Sequence, residues 1–241
     1  MELRVVESYD QLSEKAAEIV AAEVKQNRRA ILGLATGSTP EGMYAVLAGY
    51  HRDNKIDFSG VTTFNLDEYT GLPREHSQSY YSYMHRHFFD HVNIDPRRIH
   101  LPESSPQDMA RSCREYEQKI EEAGGIDLQV LGIGVNGHIG FNEPADSLDV
   151  YTHLVELAEE TIETNSRFFN SREEVPQQAV TMGMGSIMHA AKILLLASGK
   201  NKARAIKKTV SGKITTTVPS SLLQMHRNCT VIVDCEAAAL L

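Results

Sequence analysis

The chain has no tryptophan and only three cysteines in 241 residues. Cys113, Cys229 and Cys235 are odd in number and show no CxxC spacing. That argues against a disulfide scaffold and fits inert thiols in a reduced, cytoplasmic protein. Long apolar runs are missing too. The stretch Ile193–Ala197 is far too short to cross a bilayer, so no membrane partner is expected. The start, MELRVVESYD, has no basic segment followed by an apolar one, which predicts no secretion signal. Basic charge is in deficit: 24 Lys and Arg against 32 Asp and Glu leave a net charge of −8. General nucleic-acid binding is therefore excluded as an expectation. An anionic small molecule remains possible only where a few cations are concentrated at one point.

What is present reads as one globular unit. The length suffices for a full core, and no linker or repeat divides it, so residues 1–241 are expected to form a single domain. Apolar strands are predicted at Leu3–Val6, Ala30–Leu34, Val61–Leu66, Leu128–Ile133, Ile193–Ala197 and Thr230–Val233. Helical spacing is predicted after Ser8, from Pro40 with Thr39 as cap, and over Ser79–Phe89, Ala110–Ala123, Glu159–Phe169 and Lys200–Thr209. Strands that read as continuous apolar runs and alternate with helices predict an α/β fold: a Rossmann-like parallel sheet with helices on both faces. Ligands of such sheets bind beyond the carboxyl ends of the strands, where the loops Thr36–Thr39, Asp67–Tyr69 and Gly134–Glu143 fall.

The third loop belongs to LGIGVNGHIGFNEP, residues 131–144, which carries the spacing Gly132-x-Gly134-x-x-Gly137. A dinucleotide fingerprint needs its last glycine to open a long helix at a first βα turn. Here Gly140 and Pro144 stop any useful helix, and the loop lies past mid-chain. The glycines are better read as exposing Asn136, His138 and Glu143. His138 exchanges a proton near neutral pH, and Glu143 is placed in sequence to orient its ring. The bland alternative is a surface turn with an incidental histidine. In ATGSTP, Thr36, Gly37, Ser38 and Thr39 suit an anion-binding nest at a helix start, although a plain helix cap looks the same. Asp67 and Glu68 are adjacent, so they diverge along a strand. Alone, Asp67 reads first as a turn former, with general base and metal ligand as alternatives. His85, His87 and His91 do not make a metal set, because only the last two share a helix face.

FNLDEYTGL (64–72), SYYSYMHRHFFDHV (79–92), GVNGHIGFNEPADSL (134–148), NSRFF (165–169), LATGSTP (34–40) and TTTVPSSLLQMH (215–226) closely resemble the glucosamine-6-phosphate deaminase family, almost end to end and in order. The resemblance implies a Rossmann-like domain that converts glucosamine 6-phosphate to fructose 6-phosphate and ammonia, with no metal or cofactor. It implies that Asp67 moves the proton between C2 and C1, and that His138 with Glu143 helps open the sugar ring. Asn136 lies where many relatives carry Asp, so a different pH response of the histidine is expected. It further implies phosphate contacts from Thr36–Thr39, Arg167 and Lys202, with Lys200 as the competing choice for the last. The stretch Asp149–Glu156 carries no Lys or Arg and the chain ends soon after its last strand. Both features resemble the short, unregulated members and imply a monomer. Two rivals remain: a 6-phosphogluconolactonase-like hydrolase, disfavoured by FNLDEY and NEPADSL, and a sugar-phosphate-sensing domain of a transcription regulator. The second predicts an attached helix-turn-helix, whereas this chain starts at its first strand.

Overall fold

Leu66 is the residue at which the chain passes from one sheet to another. Its N–H bonds Leu34 O, and its carbonyl accepts from Met182 N. The computed structural model in which this is seen describes residues 1–241 apart from Arg167, Phe168, Asn170 and the side chains of Glu160, Thr164 and Asn165. In chain order the elements are β1 (Glu2–Val6), α1 (Tyr9–Gln26), β2 (Ile31–Leu34), α2 (Ser38–Arg52), β3 (Thr62–Asn65), β4 (Asp67–Tyr69), α3 (Tyr80–His87), β5 (Ile99–His100), α4 (Met109–Ala123), β6 (Leu128–Leu131), β7 (His153–Glu156), α5 (Glu159–Ser166), β8 (Gln178–Thr181), α6 (Met184–Met188), β9 (Lys192–Ala197), α7 (Ala203–Thr209) and β10 (Cys229–Asp234).

The predicted parallel sheet is present. Seven strands lie in the order β1-β10-β9-β6-β2-β3-β5, each neighbouring pair parallel. Side chains alternate across it. Leu32, Leu34, Leu128, Val130, Leu194 and Leu196 join the core under α1 and α2. Leu131, Ile193, Leu195, Val231 and Val233 join the one under α4, α6 and α7. Both faces are thus buried, which is why the strands read as unbroken apolar runs. From β2 the order runs outward to β3 and β5, and from β6 the other way to β9 and β10. The crevice for a ligand opens where these directions part, beyond the carboxyl ends of β2 and β6.

The sequence reading missed a second sheet. β4, β8 and β7 pair antiparallel and pack Tyr69 and Ala179 against Phe141, Leu157, Ile162 and Val175. The strand read as ending at Asp67 therefore stops at Asn65, and Asp67 opens a strand of the other sheet. Two helix starts are also informative. Ser8 Oγ accepts from Gln11 N at 3.3 Å, and Gln11 Oε1 reaches back to Glu7 N at 3.1 Å, a reciprocal cap shifted by one residue. α2 begins at Ser38 with Gly37 as its cap and no side-chain capping bond, earlier than the Thr39 cap and Pro40 start expected. Pro40 still lies within the first turn, where an N–H has no helical partner to lose. The segment after β9 makes a 3-10 turn over Lys200–Lys202 before α7, and α5 ends at Ser166.

The helical layer over β2 is held by Phe88, fully buried, stacked on Tyr44 at 5.0 Å and edge-on to Phe58 at 5.4 Å between ring centroids. Phe88→Ala should cost about 3–5 kcal/mol of unfolding free energy, read as a lower denaturant midpoint at unchanged m-value.

Candidate active site

A cavity of about 510 Å³ occupies the predicted crevice, and loops from both sheets line it. Thr36, Gly37, Ser38 and Thr39 come from the turn after β2, Asp67 from β4, Asn136 and His138 from the loop after β6, and Lys202 from the turn after β9. Of the candidate site residues that the structure describes, only Glu143 is not on this wall. Glu143 stands behind Asn136 and His138, and Arg167 lies outside the described residues.

Strand alternation separates the two acidic neighbours. Glu68 is turned away from the cavity and accepts three backbone N–H groups, from Tyr69 at 2.9 Å, Tyr80 at 2.8 Å and Tyr81 at 2.9 Å. It thereby satisfies the first turn of α3, a natural seat for an anion. Burial raises its carboxyl, and those donors oppose the rise. Asp67 has no such help. It is 6% exposed, and among the described residues its carboxyl accepts no hydrogen bond. Burial first, and the charge of Glu68 second, push it up to about 8. Desolvation of the ionised form is the physical cause.

The loop after β6 is shaped around an imidazole. A Cβ on Gly134 would lie 2.4 Å from the ring of His138, so only glycine lets the ring lie on the backbone there. Gly140 has φ +58, and a Cβ on it would meet Thr181 Oγ1 at 2.8 Å and Asp67 Oδ2 at 3.4 Å. Bare backbone therefore borders the aspartate. Thr181 Oγ1 also accepts from Phe141 N at 3.1 Å, tying the loop to the small sheet. His138 Nδ1 lies 2.9 Å from Glu143 Oε1, an ion-pair distance with off-axis geometry. Glu143 also accepts from Thr161 Oγ1 and from Asn136 Nδ2, each at 2.7 Å. Burial raises its carboxyl, but the neighbouring His138, Thr161 and Asn136 outweigh burial and lower it overall. Asn136 acts on the histidine indirectly: its Oδ1 takes the backbone N–H of His138 at 3.1 Å, while its amide donates to Glu143.

At the opposite wall the uncapped start of α2 presents backbone N–H groups to the cavity. Of the two lysines, Lys202 lines it and Lys200 does not. Several lining residues escaped the sequence reading: Tyr80, Tyr83, Arg86 and His87 of α3, Thr161 of α5, and Asn201. Tyr80, Tyr83 and His87 are spaced i, i+3, i+7, one helix face, and that spacing was the available signal. Tyr80, whose phenol bonds Thr36 and Tyr69, is held neutral mainly by burial. The other histidines are engaged separately, His85 with Asp90 at 2.7 Å and His91 with Arg86 O at 2.9 Å. Among the described residues no group of three or more His, Cys, Asp or Glu is placed to hold a metal.

Two substitutions test this geometry. Gly134→Ala should leave the fold intact and shift the NMR resonances of the His138 ring, and the reaction of the site should slow about 100-fold, as expected for an ångström-scale misplacement. Asn136→Asp replaces a donor to Glu143 with a second carboxylate, so one of the two must keep its proton to higher pH. The acid side of the pH–rate profile should then move upward. A profile superimposable on that of the unsubstituted protein would count against this network.

The description "Glucosamine-6-phosphate isomerases/6-phosphogluconolactonase" matches residues 5–232. A glucosamine-6-phosphate deaminase of Halothermothrix orenii is 57% identical over 241 residues, all of both chains. One from Thermoanaerobacter sp. is 54% identical over all of this chain and 95% of its own. A solved structure of a monomeric glucosamine-6-phosphate deaminase superposes with a TM-score of 0.98 at 44% identity, covering both chains completely. The 6-phosphogluconolactonase of Trypanosoma cruzi superposes at 0.80 with 21% identity, over 100% of this chain and 96% of that one, a likeness of fold. The chain belongs to the glucosamine-6-phosphate isomerase/6-phosphogluconolactonase family.

Proposed function

We propose that the chain converts glucosamine 6-phosphate and water to fructose 6-phosphate and ammonia. One observation carries the reading: a buried carboxyl, Asp67, unpaired among the described residues, and a histidine backed by a carboxylate line the same cavity as a helix start with no side-chain cap and a lysine. That is an acid–base pair at one end and an anion seat at the other, as a phosphorylated aminosugar requires. The high identity to deaminases over all or nearly all of their length supports this branch of the family over the lactonase.

In this reading the phosphate sits on the N–H groups of Thr36–Thr39, with Lys202 as a point charge and Arg167 as a planar fork. Held there, the sugar places its ring oxygen and anomeric hydroxyl toward His138. The imidazole, kept in place by Glu143, takes the proton of the anomeric hydroxyl and passes one to the ring oxygen as the C1–ring oxygen bond breaks, and the aldehyde forms. Asp67 then removes the proton from C2, giving the enolamine, and delivers it to C1. The resulting C2 iminium takes up water, and ammonia departs. Each transfer needs a base within hydrogen-bond reach, and anchoring by the phosphate supplies the orientation. No metal or cofactor takes part in this scheme. We further infer a monomer working in the cytoplasm. No described helix is long and apolar enough to cross a membrane, and Cys113, Cys229 and Cys235 are unbridged.

The assay supplies glucosamine 6-phosphate and 6-phosphogluconolactone separately and follows ammonia and acid release. Ammonia should appear only from the first, and acid release from the lactone alone would overturn the proposal. Asp67→Asn should abolish turnover while sugar-phosphate binding persists. It should also stabilise the protein. An unfolded aspartate titrates near about 3.9, whereas folded Asp67 does so at about 8. The folded state thus holds the proton more tightly, an advantage complete below the lower value and lost as pH rises to the upper one. The gain in melting temperature of Asp67→Asn should therefore widen between these pH values and then level off.

A further inference from the structure

Glu143 receives one of its hydrogen bonds from outside the glycine loop. Thr161 of α5 donates its hydroxyl to Oε1 at 2.7 Å, the same oxygen that lies 2.9 Å from His138 Nδ1. Oε2 is taken by Asn136. Thr161 is 8% exposed and anchored: its own N–H bonds Ala158 O at 2.9 Å, and its neighbour Ile162 is buried in the core of the small sheet. A carboxylate oxygen serving both a hydroxyl and an imidazole divides its charge between them, so the donor tunes the pair.

We infer that Thr161 is a positioning residue, fixing the Glu143 carboxylate against His138 and setting how readily that carboxylate takes a proton. The inference rests on the proposed deaminase reading. The ionisable groups around the cavity come from several elements: Glu41 on α2, Asp67 and Tyr69 on β4, Tyr80, Tyr83, Arg86 and His87 on α3, His138 in the loop after β6, and Lys202 after β9. Of these only His138 acts on the Glu143 carboxyl, and the remaining influences are burial and the donors Thr161 and Asn136. Removing one donor from so small a set leaves a measurable trace.

Thr161→Val removes the hydroxyl at nearly constant volume, and Thr161→Ser keeps it. The Glu143 carboxyl carbon is titrated by NMR in the substrate-free protein and assigned by its loss in Glu143→Gln. Its midpoint should rise by about one pH unit in the valine variant and stay in place in the serine variant. With glucosamine 6-phosphate, the acid limb of kcat should move up with it while KM changes less than about twofold, the pattern of a lost transition-state interaction. A valine variant titrating like the unsubstituted protein overturns the inference, as does a loss confined to KM or a serine variant that behaves like valine. Thr161→Ala carries the same comparison if the valine variant does not fold. A shifted titration without ammonia release from any form would leave the positioning intact and remove the deaminase reading, so the two fail separately.

Discussion

A carboxyl withdrawn from water, with no hydrogen-bond donor to it among the described residues, is the constraint on which the site depends. Asp67 and Glu68 suffer the same burial at adjacent positions, yet the structure treats them oppositely. Glu68 is given three backbone donors, two of them at the start of α3, and among the described residues Asp67 is given none. The difference follows from strand alternation, which sends one side chain to a helix end and the other into the cavity. Desolvation of an ionised carboxylate is costly, so a residue like Asp67 persists only where surrounding structure holds it in place. The passage through Leu66, bonded to both sheets, does this by fixing β4 across the mouth of the crevice. Reactivity in such a group comes at the expense of stability, a common trade at functional sites.

The second carboxylate works the other way. Glu143 is also buried, but it is surrounded by donors and by an imidazole, and these lower it. Two carboxyls pushed in opposite directions around one cavity give a proton acceptor of high affinity and a fixed anion that steadies a histidine. Environments that drive titratable groups apart separate acid and base roles. The glycines serve this separation directly. Gly134 leaves the space in which the His138 ring lies, and Gly140 brings bare backbone past Asp67. Within the spacing that resembles a dinucleotide fingerprint, Gly134 is thus a packing requirement of the imidazole, while Gly137 makes room for Val218.

Much of this was legible from the residues. β2, β6, β9 and β10 were readable because strands buried on both faces have no polar alternation to confuse them. Once those strands were placed, the loops holding Thr36–Thr39, Asp67 and His138 fell on one edge by topology alone. The small sheet was not readable. β4 is three residues long with two acids, and β7 shows the exposed alternation of a surface segment, so neither carries an apolar run. The face of α3 toward the cavity was hidden for another reason. Tyr80, Tyr83 and His87 alternate with residues that also look functional, and only the direction of approach selects among them. Lys202 over Lys200 was likewise a matter of turn geometry after β9, which composition does not encode.

The net charge of −8 sets the remaining problem, since the proposed substrate carries a phosphate. A protein of this charge repels anions at long range, but that repulsion is screened within about 8–10 Å at physiological salt. At contact distance the local groups decide. In the proposed reading the anion seat relies on backbone N–H groups at the start of α2, which add no net charge, with Lys202 as a charged partner in the same cavity lining. A lining rich in cations would have lowered Asp67 and removed the elevated basicity the proposed chemistry uses. Backbone dipoles that share the load of the anion therefore reduce the number of cations the seat needs near Asp67, and a chain short of positive charge can hold both groups in one cavity.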